Sequence, residues 1–132
     1  MKYFSLVISI LFLFSCNPSR RINLRNKSNN NAEFIFKLKE DSAKTSPFFI
    51  SNSTRVNFNL KNKKPHNWAT MSFGLGKWTK ASIKNIADDL ESFEIKHTKD
   101  SMLFNNTEDQ IAQYLFAKRK GTFKSRIEII LH

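Results

Sequence analysis

Apolar and polar residues alternate along several short segments of the chain. Val56, Phe58 and Leu60 are each separated by one polar residue, and 32–39 follows the same pattern except at Ile35. This period of two is typical of a strand that buries one face. The segments predicted as strands are 21–25, 32–39, 55–61, 67–74, 92–98, 101–105 and 124–132.

A different spacing follows Thr79. Ile83, Ile86 and Leu90 recur at three- and four-residue intervals, which is the period of an amphipathic helix. Thr79 is a plausible N-cap because its hydroxyl can accept a hydrogen bond from a free amide of the first turn. These features predict a helix over 80–91.

The second predicted helix begins at a capping-box sequence, 107–110, whose threonine and glutamine are three residues apart. The apolar stripe of 111–115 follows, and Leu115 is expected in the core. Three basic residues, 118–120, are expected in the last turn, where the helix dipole favours cations. Gly121 is then expected to end the helix.

The resulting order is β-β-β-β-α-β-β-α-β. This order predicts an α+β protein with a mostly antiparallel sheet of about six to seven strands. Two helices in the C-terminal half would cover one face of the sheet. A β-sandwich with helical insertions is the alternative.

The N-terminal segment has the composition of an export signal. One positive charge, Lys2, precedes twelve uncharged, mostly apolar residues, 3–14. A bilayer-spanning helix needs about 20 such residues, so this run is too short to be an ordinary transmembrane span. The small residue Ser15 and the chain's single cysteine, Cys16, follow it. A positive start, a short apolar run and a small residue before a cleavage point are the parts of a secretory signal peptide.

The sequence Leu13-Phe14-Ser15-Cys16 resembles the lipobox of bacterial lipoproteins. The resemblance implies cleavage between Ser15 and Cys16, and a lipid-modified Cys16 that anchors the protein in a membrane of the cell envelope. In a cell with two membranes, the domain would face the periplasm. The alternative is an N-terminal membrane anchor with an unmodified cysteine.

This reading divides the chain into a signal peptide over 1–15, a lipidated tether over 16–21 and one globular domain over 22–132. A single cysteine cannot form an intramolecular disulfide, so we expect the domain to fold without one.

Residues 16–132 are strongly basic, with 21 Lys and Arg against 11 Asp and Glu, a net charge of +10. Such a charge favours an acidic partner. We do not expect nucleic acid, because an exported domain meets little of it, whereas the envelope offers anionic headgroups and acidic polymers. The residues proposed to contact an anionic surface are Arg20, Arg21, Lys118, Arg119 and Lys120. The alternative for the last three is a solvated helix end.

Sequence motifs for metal binding or catalysis are not found. The three histidines, His66, His97 and His132, are far apart and show no metal-ligand spacing. We therefore expect no metal, no cofactor and no enzymatic activity. Asp88 and Asp89 are expected to belong to a solvated acidic face rather than to a catalytic pair.

The stretch 73–78 contains Gly74 and Gly76, a partial phosphate-loop pattern, but a tight strand-to-helix turn is the favoured interpretation. Trp68 and Trp78 are candidates for a ligand or partner surface, although aromatic residues of this kind more often lie in a core. Taken with the charge, these features predict a non-enzymatic binding or structural module for a protein partner or an acidic envelope surface. A small envelope enzyme is the alternative.

Overall fold

The computed structural model describes residues 17–42, 48, 53–97, 101–105 and 108–132, with only the backbone given for 101–105 and 108. Within these residues it contains two helices and eight strands, one of which is only two residues long. The elements are β1 Ser19–Asn26, β2 Ala32–Leu38, β3 Arg55–Leu60, β4 Trp68–Leu75, α1 Lys80–Asp89, β5 Leu90–His97, β6 Ser101–Asn105, α2 Glu108–Ala117, β7 Arg119–Lys120 and β8 Arg126–Leu131.

The strands divide between two four-stranded sheets. Sheet A has the order β4-β1-β8-β7 and sheet B has the order β3-β2-β5-β6. All neighbouring strands pair antiparallel except β1 and β8, which pair parallel. The predicted α+β class, the mostly antiparallel pairing and the position of both helices in the C-terminal half are therefore confirmed.

One hydrophobic core joins the two sheets and both helices. A chain of aromatic contacts shows the connection. Phe36 of sheet B stacks on Phe48 with ring centroids 5.1 Å apart, and Phe48 meets Phe73 of sheet A at 5.1 Å. Phe73 in turn contacts Trp78 at 5.4 Å. Offset and edge-to-face aromatic pairs of this kind add about 0.5–1.5 kcal/mol each beyond the area they bury.

Helix α1 begins as the sequence predicts. The Thr79 hydroxyl accepts a hydrogen bond from the Ser82 amide at 3.1 Å, and the Ser82 hydroxyl accepts one from the Thr79 amide at 2.9 Å. The helix ends at Asp89, two residues before the predicted end, because the backbone of Leu90 is already extended and starts β5. The buried residues of α1, Ile83, Ile86 and Ala87, belong to the shared core.

The predicted end of the second helix is wrong. Helix α2 ends at Ala117, and Arg119 and Lys120 form β7 instead of a last helical turn. The Arg119 side chain accounts for the early end. Its guanidinium lies 3.4 Å from the centroid of the Phe116 ring, and its Nε donates to the Phe116 carbonyl at 3.1 Å. Gly121 lies after β7 rather than at the helix end. Leu115 is 1% exposed, as predicted, whereas the expected cap Thr107 lies outside the described residues.

The domain starts earlier than the sequence predicts. The expected tether included 19–21, but Ser19 begins β1. The carbonyl of Pro18 also accepts a hydrogen bond from the Gly76 amide at 2.8 Å, and the Arg21 amide donates to Ser125 at 3.0 Å. These bonds make 18–21 part of the folded domain. The signal peptide and Cys16 lie outside the described residues, and no helix among those described is long and apolar enough to cross a bilayer.

Candidate functional site

The outer face of sheet A carries a basic surface. Alternation along β1 turns Ile22 and Leu24 into the core, where both are fully buried, and leaves the residues between them on the opposite side. The same alternation along β8 buries Ile127 and Ile129. We call the opposite side of these strands, of β4 and of β7 the basic face. It forms a groove of about 320 Å³ whose lining includes Arg21, Asn23, Arg25, Trp68, Thr70, Arg126, Glu128 and Ile130.

Three cations form a row across the basic face. Arg21 of β1 is the register partner of Arg126 of β8, which is in turn the partner of Lys120 of β7. Neighbouring strands lie about 4.8 Å apart, and like charges directly opposite each other destabilise a sheet. Glu128 offsets part of this charge, since its Oε1 lies 3.8 Å from Arg126 Nη1. We call Arg21, Arg126 and Lys120 the basic row.

The other end of the basic face is partly apolar. Trp68 is 57% exposed and is the register partner of Arg25, whose partner on the other side is Ile130. Thr70 and Asn23 lie between this end and the basic row, joined by a hydrogen bond of 3.0 Å. A groove lined by arginines, with an exposed indole at one end, can hold a ligand that is acidic in part and apolar in part.

The two tryptophans do not form one surface. Trp78 is 1% exposed and packs inside the core, so its assignment to a ligand or partner surface is corrected. Its indole Nε1 donates to the Arg21 carbonyl at 3.2 Å, which ties it to the inner side of β1. The sequence could not place Trp78 correctly. A single tryptophan after a glycine turn belongs to no alternating or helical pattern, so nothing local indicates whether its side chain faces the core or the solvent.

The five cations proposed from the sequence are also separated. Arg21 and Lys120 belong to the basic row. The Arg20 guanidinium instead lies over the Trp78 ring, 5.5 Å from its centroid, and Lys118 Nζ lies 5.4 Å from the centroid of the Tyr114 ring. Arg119 is held by Phe116 and by the Trp78 carbonyl, to which its Nη1 donates at 3.1 Å.

Arg126 was missed in the sequence reading. The alternation of 126–131, which places Ile127 and Ile129 inward, also places Arg126 outward, and the same reasoning puts Arg21 and Arg25 outward on β1. What the alternation does not show is that β1 and β8 are neighbours. Without that pairing, the sequence gives no reason to place Arg21 beside Arg126.

The glycine stretch forms a tight turn whose amides are partly used within the protein. Gly74 and Gly76 have φ values of 82° and 108°, in the left-handed region where glycine is favoured. Three amides of this region donate within the protein: Gly76 to the Pro18 carbonyl, Trp78 to the Lys124 carbonyl at 2.9 Å, and Thr79 to the Ser82 hydroxyl. The stretch is the strand-to-helix turn that the sequence favoured.

A buried polar cluster, which we call the Asn26 cluster, joins the far ends of the two sheets. Asn26 is fully buried at the end of β1, and its Nδ2 donates to the Leu60 carbonyl of β3 at 3.1 Å and to the Asn30 carbonyl at 2.8 Å. Its Oδ1 accepts from the Ser28 amide at 3.1 Å and lies 2.7 Å from the Ser28 hydroxyl. His97, at the end of β5, adds to the cluster, with its Nε2 3.0 Å from Ser28 Oγ.

The contact between Ser28 and His97 is the one observation in the described residues that points toward catalysis. However, Ser28 Oγ also lies 2.7 Å from the side-chain oxygen Oδ1 of Asn26 and 2.9 Å from the backbone carbonyl oxygen of Asn30. A hydroxyl has one hydrogen, so a Ser28 that donates to either oxygen must accept from His97 Nε2–H. In that arrangement His97 donates and does not act as a base toward Ser28, and the cluster braces the two sheets.

Asp88, one of the two carboxylates singled out in the sequence, lies in a surface ion pair, and so does Glu91 at the start of β5. Asp88 Oδ1 is 3.1 Å from Lys84 Nζ, and Glu91 Oε1 is 2.8 Å from Lys37 Nζ. Exposed pairs of this kind contribute little, about 0–1 kcal/mol. Among the described residues no group of three or more His, Cys, Asp or Glu is arranged to hold a metal ion.

No protein-family model matches the chain, and no curated protein or solved structure matches it. Functional inference therefore depends on the surfaces described above.

Proposed function

We propose that this chain is a cell-envelope lipoprotein, anchored through Cys16, whose basic face binds an acidic component of the envelope without catalysing a reaction. The observation that carries the proposal is the basic row: Arg21, Arg126 and Lys120 on three adjacent strands of an exposed sheet face. The lipobox resemblance supports the anchor, because exported proteins with this motif are retained at a membrane by lipid.

The arrangement favours an anionic ligand on physical grounds. Three cations held side by side repel one another, and an anion that bridges them relieves the repulsion. Arginine can bind a carboxylate or phosphate with two parallel hydrogen bonds, which are stronger than neutral ones. The surrounding Asn23 and Thr70 supply neutral hydrogen-bonding groups to a polymer that lies along the groove.

A protein partner is the second candidate, and Trp68 favours it. Tryptophan and arginine are enriched among the residues that carry binding energy at protein interfaces, and Trp68 and Arg25 are register partners on the same exposed face. An acidic segment of a partner protein could meet the basic row while an apolar side chain packs on the indole.

Binding of heparin, used as a probe acidic polymer, to the full-length chain in detergent tests the first candidate. Arg21→Gln/Arg126→Gln should weaken binding by about 100-fold, since each lost charge-assisted hydrogen bond is worth about 1.5 kcal/mol, or about tenfold. Lys61→Gln/Lys63→Gln removes the same charge from an exposed loop and is the matched control. Equal weakening by both pairs would mean that the protein's overall charge, not the basic row, binds the probe.

Two further variants separate the alternatives. If a protein is the partner, Trp68→Ala should abolish its crosslinking to this chain in native membranes and leave heparin binding unchanged. The enzymatic alternative predicts that Ser28 reacts with a fluorophosphonate and that His97→Ala prevents the reaction. Absence of labelling at Ser28 would remove the observation on which that alternative depends.

A further inference from the structure

Two large apolar side chains are exposed at the end of the domain where the chain enters it. Leu75 is 67% exposed and Phe123 is 63% exposed. Leu75 ends β4 and is the register partner of Ser19, and Phe123 lies in the turn between β7 and β8. Exposed apolar surface rimmed by polar residues commonly marks a contact with a partner or a membrane.

Hydrogen bonds place both residues beside the start of the folded chain. Gly76, next to Leu75, donates its amide to the Pro18 carbonyl at 2.8 Å. The Ser125 carbonyl, two residues after Phe123, accepts from the Arg21 amide at 3.0 Å, and the Lys124 carbonyl accepts from the Trp78 amide at 2.9 Å. The segments that meet here are 17–21, 75–80 and 118–126, and we call them together the tether end.

The tether end is entirely positive in formal charge. Its three segments contain nine Lys and Arg and no Asp or Glu, out of 22 Lys and Arg in the whole chain. Lys77 and Lys124 are exposed beside Leu75 and Phe123, and Lys120 of the basic row is exposed three residues before Phe123. Apolar side chains surrounded by lysines match the interface of an anionic bilayer, where acyl chains lie beneath negatively charged headgroups.

The distance to the anchor fixes which end faces the bilayer. Pro18 is two residues from Cys16, and an extended chain spans at most about 3.6 Å per residue, so the two Cα atoms lie within about 7 Å. The attraction of lysines to anionic headgroups is screened over about 8 Å at physiological salt, so an anchor this short holds the start of β1 within that range of the bilayer.

We propose that the tether end docks on an anionic bilayer, with Leu75 and Phe123 inserted among the headgroups and Lys77, Lys120 and Lys124 in contact with them. The inference rests on the membrane anchor of the proposed function. Docking directs the strands of sheet A away from the bilayer, so the Trp68 end of the basic face remains open to the surroundings.

Spin labels in the full-length chain, reconstituted into vesicles of phosphatidylcholine and phosphatidylglycerol, test the proposal. Leu75→Cys and Phe123→Cys place a label at the tether end, and Lys63→Cys places one in the exposed loop before β4 as a control. The labels at 75 and 123 should gain collisions with oxygen and lose collisions with a water-soluble nickel chelate, as lipid-embedded labels do. The label at 63 should remain in water. Labels at 75 and 123 that are as exposed to the nickel chelate as the one at 63 would overturn the proposal.

Two comparisons make the result specific. Lys77→Gln/Lys120→Gln/Lys124→Gln, or vesicles of phosphatidylcholine alone, should return both labels to water, and insertion that persists in both cases would contradict the electrostatic part of the proposal. The unsubstituted chain has Cys16 as its one cysteine. If this chain reacts with the spin label, the Cys16 thiol is free and carries no lipid. That result would contradict the lipid anchor of the proposed function and can be distinguished from a failure of docking.

Discussion

Replacing Asn26 with alanine should destabilise the protein strongly, because its fully buried side chain, at the end of β1 in sheet A, bonds to β3 of sheet B and to the loop after β1. The amide holds the Leu60 carbonyl at 3.1 Å, the Asn30 carbonyl at 2.8 Å and the Ser28 amide at 3.1 Å. Asn26→Ala leaves these three groups without that partner. A net loss of about 1 kcal/mol for each gives about 3 kcal/mol, and more if the groups stay dry.

That loss is large compared with a total free energy of unfolding of about 5–15 kcal/mol for a domain. At about 3–5 °C per kcal/mol for a domain of this size, the melting temperature should fall by about 10–15 °C. Urea unfolding followed by tryptophan fluorescence measures the change, since unfolding moves Trp78 from the core into water whereas Trp68 is already exposed.

Asn57→Ala is the matched control. Asn57 is exposed, and its amide donates to Glu33 Oε1 at 3.1 Å. Its removal should change the free energy of unfolding by less than about 0.5 kcal/mol, as surface substitutions usually do. If Asn26→Ala costs less than about 1 kcal/mol, or no more than Asn57→Ala, the Asn26 cluster does not brace the two sheets.

Three other predictions concern the core and the start of the domain. Leu115→Ala should cost about 2–5 kcal/mol by opening a cavity, whereas Gln113→Ala, on the exposed side of the same helix, should be nearly neutral; equal effects would place Leu115 outside the core. Burial raises the pKa of Tyr114 above its ordinary value of 10.0, so the neutral side chain stabilises the fold below pH 10 and this contribution is lost as the pH rises through the native pKa. Tyr114 is the single tyrosine of residues 17–132, so absorbance at 295 nm follows its ionisation alone, and a native midpoint at or below 10 would contradict its burial. A chain of residues 17–132 should fold under reducing conditions, but one of 22–132 should be much less stable because it lacks the first three residues of β1; equal stability would show that β1 does not need them.

Local patterns in the sequence are sufficient for most of the elements. The alternation of Val56, Phe58 and Leu60 predicts β3, and Thr79 correctly marks the start of α1, because strand faces and helix caps depend on neighbours in the sequence. An element of only two residues is too short to show a periodic pattern, so it cannot be predicted in this way. The strand β7 is such an element. Its two residues belong to a run of three consecutive cations, 118–120, which follows the apolar stripe of α2 and is typical of the last turn of a helix.

The candidate site depends on contacts between strands that are far apart in the sequence, and local patterns do not predict such contacts. The division into two sheets and the parallel pairing of β1 with β8 join segments about a hundred residues apart, and that pairing is what brings Arg21 beside Arg126. The direction of each side chain could be predicted from alternation, but the identity of the neighbouring strand could not. The Asn26 cluster was missed for the same reason, since its partner Leu60 lies 34 residues away.

The mass of the protein extracted from its own membranes tests the anchor on which the proposed function depends. We predict a chain that begins at Cys16, lacks 1–15 and carries the added mass of two or more acyl chains on its N-terminal residue, and a Cys16→Ser chain that keeps 1–15 and carries no lipid. A chain that retains 1–15, or that begins at an unmodified Cys16, would contradict the assignment as a lipoprotein.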